Sequence, residues 1–174
     1  MKSKAKRRVP AKKAAAAKKK VQPIPDGYSA VTPYLSVRGA AQTIEFYKKA
    51  FGAKEIMRMP GPDGKLGHAE ISIGGSPIML SDEYEALAFL SPQTRGGTTV
   101  HIHLYVKDVD ATVARATAEG AKVNRPVKDQ FYGDRTGSIE DPFGHMWHVA
   151  THKEDLSKAE MTRRAAEAAK QGGG

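Results

Sequence analysis

The sequence predicts an α+β fold in which two copies of one strand-helix-strand unit set their strands into a curved mixed sheet around a cup. Three observations lead there: an internal repeat, a helical apolar pattern after the first strand of each copy, and strands that are apolar on one face only. Tyr34-Leu35-Ser36-Val37-Arg38 leads into a helix closing at Gly52-Ala53-Lys54, and His103-Leu104-Tyr105-Val106-Lys107 leads into one closing at Gly120-Ala121-Lys122. The strands are offset by 69 residues and the helix ends by 68. Gly75-Ser76-Pro77-Ile78-Met79-Leu80 likewise lies 69 residues before Gly144-His145-Met146-Trp147-His148-Val149. Self-similarity at one spacing marks a repeated structural unit.

Each unit reads as a strand, a helix, then two or three strands. In the first helix, roughly Ala40 to Phe51, Ala40, Ile44, Tyr47 and Phe51 recur at helical spacing, and Gly52 follows as the closing residue. Turns at Gly61-Pro62-Asp63-Gly64 and Gly74-Gly75 separate the strands that follow. Glu83 to Gly97 joins the halves. The second helix runs roughly from Val109 to Glu119, with Asp108 or Asp110 available as its N-cap and Gly120 closing it. Asp141-Pro142-Phe143-Gly144 forms the last turn. Ser157 to Lys170 reads as a charged, Ala-rich terminal helix ahead of fraying glycines. The pattern divides the chain into a basic tail over 1–26, a domain over 27–152 with units at about 28–83 and 98–152, and a terminal segment over 153–174.

Composition narrows the chemistry. With no cysteine among 174 residues, a disulfide framework, a thiolate metal site and a cysteine nucleophile are excluded. No apolar run approaches the roughly 18–20 residues that span a bilayer, and the N-terminus lacks a signal-peptide core, so no membrane partner and a cytoplasmic protein are expected. The net charge of +9 is concentrated: residues 1–20 carry ten of the 28 Lys and Arg and no acid, leaving 18 bases against 19 acids elsewhere. A Lys/Ala/Pro stretch of one charge sign has nothing to bury and is expected to be disordered. It would either neutralise nucleic-acid phosphates without reading sequence or act as a solubilising extension.

Side chains alternate faces along a strand. Val31, Leu35 and Val37 oppose Thr32, Tyr34 and Ser36; Ala69, Ile71 and Ile73 oppose His68, Glu70 and Ser72. Val100, Ile102, Leu104 and Val106 oppose His101, His103 and Tyr105, while Trp147 and Val149 oppose Met146 and His148. A solvated sheet face favours Lys, Glu and Thr, so clustered His, Tyr and Met point to a partly enclosed pocket. His68, His101, His103 and His148 would share it, as metal ligands, as proton carriers, or as independent hydrogen-bonded histidines.

Thr43-Ile44-Glu45-Phe46-Tyr47-Lys48-Lys49-Ala50-Phe51-Gly52-Ala53, and Asp141-Pro142-Phe143-Gly144-His145-Met146-Trp147 with Ala150-Thr151-His152, resemble the vicinal oxygen chelate superfamily over about residues 28–152. That superfamily includes glyoxalase I, fosfomycin-resistance proteins, bleomycin-binding proteins and extradiol dioxygenases, and the closest likeness is to its PhnB-like branch. The resemblance implies paired βαβββ units and, in metal-dependent members, four ligands at matching positions of the two units. Those positions fall here on Thr32, His101, Met79 and His148, of which only His101 and His148 suit a Zn, Ni, Mn or Fe ion. Thr32 and Met79 depart from the pattern. His145 and Trp147 carry the family signature and read as structural.

Two functions follow. In one, no metal binds and the cup holds an organic small molecule through Tyr34, His68, Glu70, His103 and Tyr105. In the other, His101 and His148 join Glu70 as a two-histidine, one-carboxylate metal centre of a lyase, isomerase or dioxygenase. Arg135, in the stretch Asp129 to Arg135 that also holds Tyr132, is placed either to meet an anionic ligand group or to pair with Asp134, Asp129 or Glu140. The resemblance also implies a homodimer. A third class, nucleic-acid association through residues 1–20, would be indifferent to His101 and His148.

Overall fold

The computed structural model describes residues 21–170, so the expectations for the basic segment 1–20 and the final glycines lie outside the described residues. The first unit runs β1 (Tyr34–Val37), α1 (Ala40–Phe51), β2 (Lys54–Pro60), β3 (Leu66–Ile73) and β4 (Ser76–Asp82). A connecting segment with the short helix α2 (Pro92–Arg95) leads to β5 (His101–Tyr105), α3 (Val109–Ala118), β6 (Lys122–Asp129), β7 (Asp134–Glu140) and β8 (Met146–His152). The terminal helix α4 spans Lys158–Lys170.

The strands form two four-stranded mixed sheets, ordered β1-β4-β3-β2 and β5-β8-β7-β6. In each, the first strand pairs parallel with the last and the remaining pairings are antiparallel, so the repeat in sequence is a repeat in topology.

Both helices form where the apolar spacing places them, but they are held differently at their N-termini. Gly39 precedes α1 at φ +82°, and a Cβ there would lie 2.8 Å from the Gln42 side-chain oxygen. Glycine brings no capping group, so Asp82 at the end of β4 supplies one. Its Oδ1 accepts from the Gly39 and Ala40 amides at 2.8 and 3.1 Å, and its Oδ2 accepts from the Leu66 amide at 2.7 Å. The equivalent residue of the second unit is Thr151. Its hydroxyl accepts from the Val109 amide at 2.9 Å and donates to the Val106 carbonyl at 3.0 Å, while Asp108 caps α3 through the Ala111 amide at 2.9 Å. Orphan amides at helix starts are satisfied in both units.

The core lies between the sheets and the two helices. Val37, Ile44, Tyr47, Ile71, Leu80, Ile139, Trp147 and Val149 are fully buried. Each aliphatic side chain removed from water there stabilises the fold by about 1.5–3 kcal/mol. An aromatic group crosses the seam between units: Trp147 of β8 packs on Tyr47 and Phe51 of α1 at ring-centroid distances of 5.3 and 4.6 Å. The Asp141 carboxylate accepts from the Tyr47 hydroxyl at 2.7 Å and from the Trp147 indole at 2.9 Å, and its other oxygen accepts the Phe143 and His145 amides, each at 2.9 Å. The Asp-Pro-Phe-Gly turn thus ties the second unit to the helix of the first.

Two features of the sequence pattern overreach. Val31 and Val100 fit the alternation but lie ahead of β1 and β5 and are 83% and 68% exposed. β2 and β6 lack the one-sided pattern altogether: both are outer strands with register shifts, and Ile56, Met57, Met59 and Val123 are exposed.

Candidate functional site

Strand register decides what the face of each sheet turned away from the helices carries. Across the first sheet one row reads Met57 (β2), Glu70 (β3), Met79 (β4) and Tyr34 (β1). The equivalent row of the second sheet reads Arg125 (β6), Ser138 (β7), His148 (β8) and His103 (β5). Registered residues on neighbouring strands share a face, so each row is a line of adjacent side chains.

On the first sheet the sequence-predicted residues Tyr34, His68 and Glu70 do come together. Tyr34 Oη meets His68 Nδ1 at 2.9 Å, His68 Nε2 meets Glu70 Oε1 at 3.0 Å, and Tyr28 donates to the other Glu70 oxygen. The Tyr28 bond, followed by that from His68, holds the Glu70 carboxyl below its ordinary value.

On the second sheet His101 Nδ1 and His148 Nε2 lie 2.9 Å apart, and the His103 ring stacks against His148 at 6.3 Å between centroids. Burial, then the charges of His101, His103 and Arg125, push the His148 imidazole below its ordinary value and favour its neutral form. One nitrogen of the close pair donates and the other accepts. Farther along the face, the Tyr105 hydroxyl donates to Asp134 Oδ2 at 2.8 Å and His152 Nδ1 lies 2.7 Å from Asp134 Oδ1. The hydrogen bonds to Asp134, then to Asp155, raise the His152 imidazole. Burial raises the Asp134 carboxyl, but the bonds from His152 and Tyr105 outweigh it and lower it overall.

Two expectations need correction. Glu70 does not join His101 and His148: it belongs to the network on the first sheet, and among the described residues no three His, Asp or Glu side chains converge as a metal site. Two imidazole donors fall short of a facial triad, so the donor set of this chain does not by itself fit a resident catalytic metal. Arg135 is not free for a ligand. It makes a bidentate pair with Asp110 at 2.7 Å for both bonds and a third bond to Asp129 at 3.2 Å. Asp110 lies on α3, 25 residues away, and was not among the partners its neighbourhood in sequence offers. Arg125 of β6, in register with Ser138, makes no salt bridge among the described residues.

A cavity of about 920 Å³ is lined by residues of β1, of β5 and of the segment joining the units. Tyr34, Phe89, Leu90, Val100, His101 and His103 contribute to its walls. Tyr34 and Phe89 meet edge to face at 5.1 Å, so the lining holds an aromatic pair besides its two imidazoles. The buried His145 imidazole contacts the Ser36 carbonyl at 3.1 Å at the cavity's base, where the sequence reads it as structural. Phe89 escapes sequence analysis because it lies on an irregular segment with no periodicity. A volume of this size accommodates a drug-sized molecule.

A family model described as the glyoxalase/bleomycin resistance protein/dioxygenase superfamily matches residues 29–149. The uncharacterised protein Mb0911c of Mycobacterium bovis is 44% identical over 135 residues, covering 76% of this chain and 89% of its own length. The fold is similar to that of the PhnB protein from Bacillus cereus, at TM-score 0.57 and 17% identity over 71% of this chain and 99% of that one. It is also similar to the fosfomycin resistance protein FosX of Listeria monocytogenes, solved with Mn(II) and sulfate, at TM-score 0.56 and 19% identity over 77% of this chain and 97% of that one. No helix among the described residues is long and apolar enough to cross a membrane.

Proposed function

Because this chain belongs to the glyoxalase/bleomycin resistance protein/dioxygenase superfamily, we propose that it is a small-molecule-binding protein whose organic ligand occupies the cavity between β1 and β5. The observation that carries this reading is the cavity's lining: the aromatic pair Tyr34 and Phe89, the His101 and His103 imidazoles, and the aliphatic Leu90 and Val100. Aromatic and aliphatic walls take up a flat apolar body, and a few polar groups orient it. A second copy of the chain completes the cup, because Tyr34, Met57, Met59 and Tyr105 leave apolar surface exposed on the open faces. Sedimentation of the full chain as a monomer at all concentrations would remove this part of the reading.

The binding site is tested by thermal shift with a panel of aromatic compounds on the full chain and on Val100→Trp, which fills the cavity. Ligand at a hundred times its Kd stabilises the native state by about 2.7 kcal/mol, so compounds should raise the wild-type Tm. The filled variant should melt cooperatively without responding. Equal responses from both proteins would place the ligand elsewhere.

A second reading is supported by the 2.9 Å approach of His101 Nδ1 to His148 Nε2, two donors to which a partner copy or the substrate would add the rest. A divalent ion held there would act as a Lewis acid. It requires near one Mn, Fe, Ni or Zn per chain by plasma mass spectrometry after dialysis, lost in both His101→Ala and His148→Ala. Absence of retained ion leaves the first reading alone.

A further inference from the structure

Four side chains of the first unit are joined end to end. Tyr28 donates to one oxygen of Glu70, the other Glu70 oxygen lies 3.0 Å from His68 Nε2, and His68 Nδ1 lies 2.9 Å from Tyr34 Oη. Their neighbours in register are methionines: Met57 and Met79 flank Glu70, Met59 stands opposite His68, and Met79 also borders Tyr34. The His68 and Glu70 side chains are largely shielded from water.

Glu70 sets the direction of these bonds. A carboxylate can only accept, and the Tyr28 and His68 bonds that hold this carboxyl below its ordinary value keep it ionised at neutral pH. His68 therefore carries its hydrogen on Nε2. A neutral imidazole then has its one free lone pair on Nδ1, which takes the hydrogen of the Tyr34 hydroxyl. The chain runs one way, from Tyr34 through His68 to the carboxylate, and the Tyr34 oxygen is left with lone pairs only. Of the four residues, Tyr34 is the one that lines the cavity, and it is 45% exposed. A free phenol can donate or accept as its ligand requires, whereas this one is committed as a donor to His68.

We propose that His68 and Glu70 are positioning residues that fix the Tyr34 oxygen as a hydrogen-bond acceptor, so that the cavity selects flat molecules bearing an N–H or O–H donor. This rests on the cavity being a small-molecule site. A ligand with an acceptor in that place would set lone pair against lone pair. Otherwise it would take the Tyr34 hydrogen from His68 and leave the imidazole unpaired beside the methionines.

Indole, whose ring N–H donates and offers no lone pair in the ring plane, and quinoline, whose ring nitrogen only accepts, are similar in shape and size. Isothermal titration of each into the full chain at about pH 8, which favours neutral imidazole, reads the ratio of their affinities. Wild type should favour indole by about fivefold or more, the effect of one hydrogen bond between neutral groups. Tyr34→Phe should bring the ratio to about one. His68→Leu frees the hydroxyl to donate, so quinoline should tighten about fivefold while indole stays within about twofold. A merely structural role for His68 would weaken both probes together. Equal affinities in wild type, or an indole preference that survives Tyr34→Phe or His68→Leu, would each overturn the proposal. In those cases binding that Val100→Trp removes keeps the cavity as the ligand site; no binding of either probe removes both.

Discussion

The two units of this chain share strand order, pairing direction and helix placement, yet their open faces have opposite character. Where the first unit places Met57, Glu70, Met79 and Tyr34, the second places Arg125, Ser138, His148 and His103. The order and pairing of the strands are equivalent between units, whereas the residues facing the cup have diverged. Core positions are constrained by packing and open-face positions by what they meet, so a duplicated scaffold can keep its fold while its two open faces diverge.

The sharpest way to break the equivalence is at the turn before β8. Asp141 accepts four hydrogen bonds, whereas the first-unit residue at the same repeat position, Ser72, is part of a plain β3 to β4 pairing. Asp141→Ala strands the Tyr47 and Trp147 donors in the core and should cost about 3 kcal/mol or more in urea unfolding. Ser72→Ala should cost under about 0.5 kcal/mol.

A smaller contrast separates the two helix supports. Asp82→Ala removes three bonds at α1, where no other cap exists, and should cost about 2 kcal/mol. Thr151→Val should cost about 1 kcal/mol, because Asp108 still caps α3.

The two faces should also titrate apart. Glu70 lies below its ordinary 4.5, so its contribution is present above that value and is lost as the pH falls through the lower folded value. In the second unit His152 is raised above 6.5, so its contribution is complete below 6.5 and disappears as the pH rises through the folded value. His148 is lowered, so it opposes folding increasingly as the pH falls below 6.5. Urea midpoints measured across pH 3 to 9 should lose the alkaline decline in His152→Gln, lose part of the decline just below 6.5 in His148→Gln, and shed the acid-most loss in Glu70→Gln. The smallest effect belongs to Arg135→Met: with its guanidinium committed to Asp110 and Asp129, ligand affinity should change by less than about twofold.

Much of this plan is legible in the sequence. The repeat locates both units, the Ile44, Tyr47, Phe51 spacing locates α1, and the alternation of His101, His103 and Tyr105 against Ile102 and Leu104 assigns the faces of β5. The alternation misleads at Val31 and Val100, equivalent positions in the two units, because periodicity cannot show where pairing begins. It fails at β2 and β6, where a register shift changes which side chains face the cup. Arg125 is hidden there, although the repeat offset of 68 that aligns it with Met57 was a signal that could find it. Side-chain partnerships escape for a different reason. Whether Glu70 reaches His101 or His68, and whether Arg135 meets a ligand or Asp110, depends on how sheets and helices pack, which residue order alone does not encode.

Trp147, the single tryptophan of the chain, is fully buried against Tyr47 and Phe51 of the other unit. Its indole is therefore a built-in optical gauge of the seam. Native protein should emit at the short wavelengths of an apolar environment. A state in which both units kept their secondary structure but drew apart would shift that emission to the red while the far-ultraviolet dichroism stayed constant, separating loss of the seam from loss of the units.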